Sequence, residues 1–136
     1  MEVGAVQNNG QTSLRSLFTE YQSLPEFVGV KLTGVSQKGN FGNTPLHIAS
    51  SRGKLEEISL LLQQGADPNA IGEDGATPLH DAAMQGSREA VAILLRYKAN
   101  PAIADSDGNT PEDLARMLKQ IEALDILEKI SRPGPS

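Results

Sequence analysis

The stretch Thr-Pro-Leu-His-Ile-Ala at residues 44–49 is repeated as Thr-Pro-Leu-His-Asp-Ala at 77–82 and, weakened, as Thr-Pro-Glu-Asp-Leu-Ala at 110–115. Each copy begins 33 residues after the previous one. A fixed period of roughly 20–50 residues is typical of structural repeats that stack on one another. The spacing therefore predicts a solenoid of short units and not one compact core.

The register extends beyond the hexapeptide. Six further positions follow the same spacing: Gly42, Gly75 and Gly108 before the motif, and Ile58, Val91 and Leu124 after it. With these motifs the chain resembles the ankyrin-repeat family over about residues 39–130 and is similar to small, stand-alone, bacterial-type members. The resemblance implies an all-α solenoid of helix-turn-helix pairs joined by hairpin loops that project as fingers.

Each repeat carries local signals for two helices. Thr before Pro is typical of a helix start, because the hydroxyl caps free amides and Pro fits the first turn. Gly53 and Gly86 indicate the reversal between the paired helices. In the last repeat Lys119 stands at the turn, so either a turn or a partly continuous helix is compatible with the sequence.

The predicted organisation is capped at both ends. A helix stripe from Leu14 to Leu24 stops at Pro25, which favours a divergent cap over a full repeat, and the alternation of Val28, Val30 and Leu32 favours a short extended segment. The predicted units are a loose N-terminus (1–11), a helical N-terminal cap (12–38), repeat 1 (39–71), repeat 2 (72–104), a C-terminal capping repeat (105–130) and a loose tail (131–136).

Composition limits the classes of partner. The 136 residues carry a net charge of −5, which argues against nucleic acid and anionic membranes, since phosphate binding needs clustered Lys and Arg. The chain has no Cys, no apolar run long enough to span a bilayer and no secretory leader pattern. We therefore expect a cytoplasmic protein that is a monomer when free, and a partner that is a protein, with a basic one favoured.

No catalytic or metal-binding motif is found. His47 and His80 are one repeat apart, too far to share a metal ion at about 2 Å per ligand. The acidic turns lack the spacing of a calcium loop. We predict no enzyme activity, no cofactor and no metal. The family resemblance implies structural roles for seven residues: Thr44, His47, Gly53, Thr77, His80, Gly86 and Thr110.

The binding surface is predicted from the positions that the repeat leaves free. In the ankyrin-repeat family, partners dock on the hairpin tips and the first helix of each pair, which line a concave groove. By position, these are Asn40, Phe41, Asn43, Arg52, Glu73, Asp74, Ala76, Asp81, Met84, Gln85, Ser106, Asp107 and Asn109. Phe41 is either an exposed anchor for the partner or a residue that packs on the N-terminal cap.

The resemblance implies a protein–protein interaction module that binds one partner through the tips and the groove. Two alternatives stay open. One is an inhibitor or immunity protein that neutralises a basic toxin or enzyme by covering it. The other is a scaffold subunit of an assembly. The sequence also leaves open whether residues 12–38 contribute to binding or only cap the stack.

Overall fold

The computed structural model describes residues 13–131, and the segments on either side, which include most of the predicted loose ends, lie outside them. Within that range the chain forms α-helices and no strand, so the predicted all-α repeat solenoid is confirmed. The helices are α1 (Leu14–Tyr21), α2 (Pro45–Arg52), α3 (Leu55–Gln63), α4 (Pro78–Gln85), α5 (Arg88–Arg96), α6 (Pro111–Met117) and α7 (Ile121–Ser131), with one 3-10 turn at Glu73–Gly75.

The Thr-Pro-x-His motif forms the start of α2 and α4. Thr44 Oγ1 accepts the His47 amide at 3.4 Å, and His47 Nδ1 accepts the Thr44 amide at 3.1 Å. Thr77 and His80 repeat this reciprocal pair at 3.4 and 3.0 Å. Two amides that a helix start leaves without partners are thereby satisfied, with the imidazole in the role usually played by Glu or Gln.

The helices pack in two rows. The first helices of the repeats, α2, α4 and α6, lie side by side, and α3, α5 and α7 form the second row behind them. Ala49, Ala82 and Ala115 occupy one repeat position and are fully buried. Their small side chains allow the first helices to approach closely, and Leu, Ile and Val of both rows fill the space between them.

The N-terminal region adds one helix and a series of turns. Ser13 caps α1, accepting the Ser16 amide at 3.1 Å, and Leu17, Tyr21 and Phe27 extend the core. The prediction of an extended segment near Val30 is wrong, because residues 26–30 form turns and a bend. The Gln22 side chain bonds the backbone of this region at Phe27, Val30 and Leu32, which holds it in turns without strand pairing.

The reversal at Lys119 is a true turn between separate helices. Helix α6 ends at Met117 and α7 begins at Ile121, while Lys119 itself has φ of 58°. Gly53 and Gly86, at the corresponding reversals, have φ of 66° and 93°. A residue with a Cβ is disfavoured in this left-handed region by about 1–2 kcal/mol, so Lys119 is a strained position that the stack tolerates.

We expect Lys119→Gly to raise the free energy of unfolding by about 0.5–1 kcal/mol, because relief of the left-handed strain exceeds the entropy that Gly adds to the unfolded chain. Lys31→Gly is the matched control, since Lys31 is exposed outside the helices, does not have a positive φ and gains nothing from Gly. Urea unfolding followed by circular dichroism measures both. A Lys119→Gly variant no more stable than wild type would contradict the strain.

Candidate partner-binding groove

The fingers share one hairpin geometry. The first residue of each finger donates its amide to the carbonyl four residues later at 2.8 Å: Gly39 to Asn43, Gly72 to Ala76 and Asp105 to Asn109. All three bonds follow the 33-residue register. The fingers therefore project from the stack in the same way, each in front of the first helix that follows it.

Each histidine ties its helix to the next finger. His47 Nε2 lies 3.0 Å from the Ala76 carbonyl oxygen, and His80 Nε2 lies 2.8 Å from that of Asn109. Because Nδ1 accepts the Thr amide, the proton is on Nε2, which donates to the carbonyl. Burial lowers the pKa of His47, in keeping with this neutral tautomer. The bonds set where the next finger stands.

The first finger is held by a buried carboxylate from the N-terminal region. Glu26 is 5% exposed, and its Oε2 accepts the amides of Phe41 at 2.8 Å and Asn43 at 3.1 Å. Asn43 Nδ2 adds a bond to Oε1 at 2.9 Å. In the third finger Asp105 Oδ1 does the same locally, accepting the Asp107 and Asn109 amides at 3.0 and 2.9 Å. Sequence reasoning missed Glu26, because no motif links it to residues 15–17 positions away.

A concave groove of about 450 Å³ lies between the fingers and the first helices. The residues lining it are Asn43, His47, Ile48, Ser51, Glu73, Asp74, Ala76, Asp81, Met84, Asp105, Asp107, Asn109, Leu114 and Met117. Its floor has a simple order: Ile48, Asp81 and Leu114 are the same motif position in successive repeats. Ser51, Met84 and Met117 form the next row, again 33 residues apart.

A match to a family model covers most of the chain. The model described as ankyrin repeats (3 copies) matches residues 3–105. The chain belongs to the ankyrin-repeat family. Ankyrin repeats are general protein–protein interaction modules and are typically non-catalytic. A comparison with curated proteins returned no match to this chain.

The groove of this ankyrin-repeat protein is negatively charged. Glu73, Asp74, Asp81, Asp105 and Asp107 line it, and no Lys or Arg of residues 13–131 does. Elsewhere several acidic side chains are ion-paired: Asp125 with Arg88 and Lys129, for example, at 2.8 and 3.2 Å. The groove thus presents a field of one sign to any partner.

Asp81 is the acidic residue most affected by its surroundings. It lies half-buried between the aliphatic positions of the neighbouring helices, α2 and α6. Burial, followed by the nearby charge of Glu73, raises the pKa of Asp81 from 3.8 to about 7. The carboxyl group therefore changes charge near neutral pH, where ordinary aspartates are fully ionised.

Eight of the predicted binding residues are brought together in the groove: Asn43, Glu73, Asp74, Ala76, Asp81, Met84, Asp107 and Asn109. The other five lie outside its lining. Sequence reasoning did not name Ile48 and Leu114 as binding residues. Their signal was available, because each occupies the motif position of Asp81 in a neighbouring repeat.

The five residues outside the lining have distinct environments. Asn40 Nδ2 bonds the carbonyls of Pro25 and Val28 at 3.0 and 2.8 Å. Arg52 lies 5.4 Å above the Tyr21 ring and pairs with Glu20 at 2.8 Å. The Gln85 side chain lies close to Gly53, and the Ser106 amide bonds Asp74 O at 2.9 Å. Phe41 is 55% exposed at the first finger, so it is not covered by the N-terminal region.

Two further features of residues 13–131 bear on the kind of site. They contain no group of three or more His, Asp or Glu side chains arranged to hold a metal ion. None of their helices is long and apolar enough to cross a bilayer.

We expect His47→Gln to lower the free energy of unfolding at pH 7.5 by about 1–3 kcal/mol, because the buried Ala76 carbonyl loses the donor that His47 supplies, while Gln can still accept the Thr44 amide. The stability of the wild-type protein also depends on pH through the ionisation of His47, and the variant lacks this dependence. With a lowered pKa in the fold, His47 stays neutral while the unfolded chain takes up a proton below about pH 6.5. The stability advantage of wild type therefore shrinks from pH 7.5 to pH 5. Urea titrations at both pH values measure it. Equal stability of the two proteins at pH 7.5 would refute the tie, and a difference that is the same at pH 5 would contradict the lowered pKa of His47.

We expect Asp81→Asn to raise the free energy of unfolding at pH 8 by about 1–2 kcal/mol, because the fold disfavours the ionised carboxyl group. The gain should shrink as the pH falls below about 7, where Asp81 in the folded protein takes up a proton, and should vanish only below about pH 3.8, where the carboxyl group of the unfolded chain is protonated as well. Asp107→Asn, at an exposed tip position, is the control and should change stability by less than about 0.5 kcal/mol. Equal effects of the two substitutions at pH 8 would argue against burial as the cause.

Proposed function

We propose that this ankyrin-repeat protein is a non-catalytic module that binds one protein partner through its finger tips and concave groove. The observation that supports this most is the groove itself: four carboxylates stand on its fingers and a fifth, Asp81, lies on its otherwise apolar floor, with no Lys or Arg of the described residues lining it. Such a surface favours a partner that presents basic groups among apolar ones.

The rigidity of the groove supports the same proposal. The fingers are held by hairpin bonds, by the histidine ties and, in the first finger, by Glu26. A surface that is ordered before binding loses little conformational entropy on association. Exposed apolar side chains near the acidic groups, Phe41 at the first tip and Met84 and Met117 on the helices, provide contacts that an interface can bury.

Occlusion is the mode of action that we favour for this module. A small rigid protein acts on its partner by covering a surface, and the negative field would speed association with a basic toxin or enzyme. We therefore propose an inhibitor or immunity role as the sharper form of the function. A cytoplasmic, monomeric protein, as expected from the sequence, is part of this proposal.

A scaffold role is the second candidate, supported by a different surface. Leu118 and Ile121, which do not line the groove, are 53% and 70% exposed at the turn between α6 and α7. Exposed apolar residues this close together are typical of a contact surface. In a scaffold, this end of the stack would join a neighbouring subunit, and the protein would self-associate or co-purify in a fixed assembly.

Affinity capture from a native lysate with the full chain tests the site. The groove variant is Phe41→Ala/Glu73→Lys/Asp107→Lys; Asp74 is left intact because its φ of 58° makes substitution costly. The control, Glu89→Lys/Glu122→Lys, makes the same change in net charge at exposed positions on α5 and α7. We expect wild type and the control to capture one stoichiometric protein and the folded groove variant to lose it.

The binding of that captured protein should also weaken with salt, because the proposed contact is between opposite charges. Capture of the same protein by all three chains would place binding outside the groove and overturn the proposed site. Loss with the control alone would move the site to the second row of helices.

A further inference from the structure

The motif position of Asp81 differs in kind from its two neighbours. Ile48 on α2 and Leu114 on α6 are aliphatic at the same position, and all three side chains line the groove floor. A carboxylate is thus placed between two apolar walls. This arrangement fits a long side chain with an aliphatic stem and a charged end, because the stem can lie on a neighbouring apolar position while the end meets the carboxylate.

The Asp81 carboxylate has no donor within residues 13–131. No hydrogen bond or ion pair reaches it from that part of the chain, whereas Asp105 and Asp113 accept backbone amides. The titratable groups that share the groove with it are Glu73, Asp74, Asp105 and Asp107 from the fingers and neutral His47 from α2, while α6 contributes only Leu114 and Met117. A half-buried carboxylate without a donor is destabilising unless a ligand supplies one.

We propose that Asp81 receives one cationic side chain of the protein partner, Lys or Arg, whose aliphatic stem packs on the apolar floor beside Asp81, against Ile48 or Leu114. This inference rests on the proposed function and specifies which chemical group of the partner the groove binds. The acids at the finger tips attract the cation and set the charge of the surrounding surface. Asp81 is the single carboxylate on the floor, so it sets where the cation binds.

The proposed contact makes binding depend on pH. With a pKa of about 7, Asp81 is ionised in about three quarters of the free molecules at pH 7.5 and in about one tenth at pH 6. Only the ionised form attracts the cation. Affinity should therefore fall about eightfold from pH 7.5 to pH 6 in wild type, and the bound cation should lower the pKa of Asp81.

Three capped tripeptide amides serve as probes: acetyl-Leu-Arg-Leu, acetyl-Leu-Lys-Leu and acetyl-Leu-citrulline-Leu. Citrulline has nearly the shape of Arg but no charge. Amide chemical shifts of the full chain report affinity and location, and the carbon shift of the Asp81 carboxyl group reports its pKa. We expect the charged peptides to shift α4 and groove signals and the citrulline peptide to bind at least tenfold more weakly.

Two variants separate the floor from the tips. Asp81→Asn should bring the Arg peptide to the affinity of the citrulline peptide and abolish the pH dependence between pH 6 and 7.5. Asp107→Asn, the matched loss of one acid at an exposed tip, should change affinity less than threefold and keep the pH dependence. Saturation with the Arg peptide should lower the pKa of Asp81 in wild type.

The inference is overturned if the charged peptides cause no groove shifts at millimolar concentration, if the citrulline peptide binds as well as the Arg peptide, or if Asp81→Asn leaves affinity and pH dependence unchanged. The proposed function is tested independently of this contact. A captured partner lost with the groove variant but insensitive to Asp81→Asn would retain the module and reject the cation contact.

Discussion

The hydrogen bond from each buried histidine to the next finger is the contact on which the groove depends. The Thr amide occupies Nδ1, which leaves Nε2 to donate to a carbonyl 29 residues further along the chain. One imidazole thus completes the start of its own helix and fixes the neighbouring hairpin. Because the contact recurs at His80, the fingers are related by one repeated geometry and stand in a row. A solenoid of this kind is stabilised by contacts between neighbours, so the same bonds support both stability and the shape of the groove.

The last repeat shows which residue occupies the histidine position when no bond to a following finger is made. Asp113 replaces histidine and still caps its helix, accepting the Thr110 amide at 3.0 Å. Within the described residues no later finger follows that would need a donor from this position, and a carboxylate is sufficient for the cap. At the other end Glu26, from the N-terminal region, holds the amides of the first finger. The last repeat therefore uses a carboxylate where the interior repeats use histidine, and the first finger is held through its amides by a carboxylate from the N-terminal region.

The electrostatics of the groove follow from its position between the repeats. Residues at the tips are acidic partly because Asp suits tight turns, but Asp81 is on a helix, where turn geometry does not explain its presence. Its placement between two aliphatic positions destabilises the ionised form in the free protein. A partner that supplies a cation would remove this cost, which links the strength of binding to the ionisation of one side chain. Ionisation of Asp81 then lowers the stability of the free protein and strengthens its binding to the partner.

The 33-residue spacing by itself determined the architecture, because each motif contains the cap, the first-turn Pro and the apolar positions that a stacked helix pair needs. It also placed most of the groove residues, since a repeat puts equivalent positions in rows. The tertiary structure alone decided the turn at Lys119, the burial of Glu26 and the use of Asn40, Arg52 and Gln85 in contacts outside the groove. The contacts of Glu26, Asn40, Arg52 and Gln85 join groups that are 12 to 32 residues apart, and a local pattern carries no information about such distant contacts. The altered pKa of Asp81 has the same origin: its cause is the packing of α2 and α6 on either side of it.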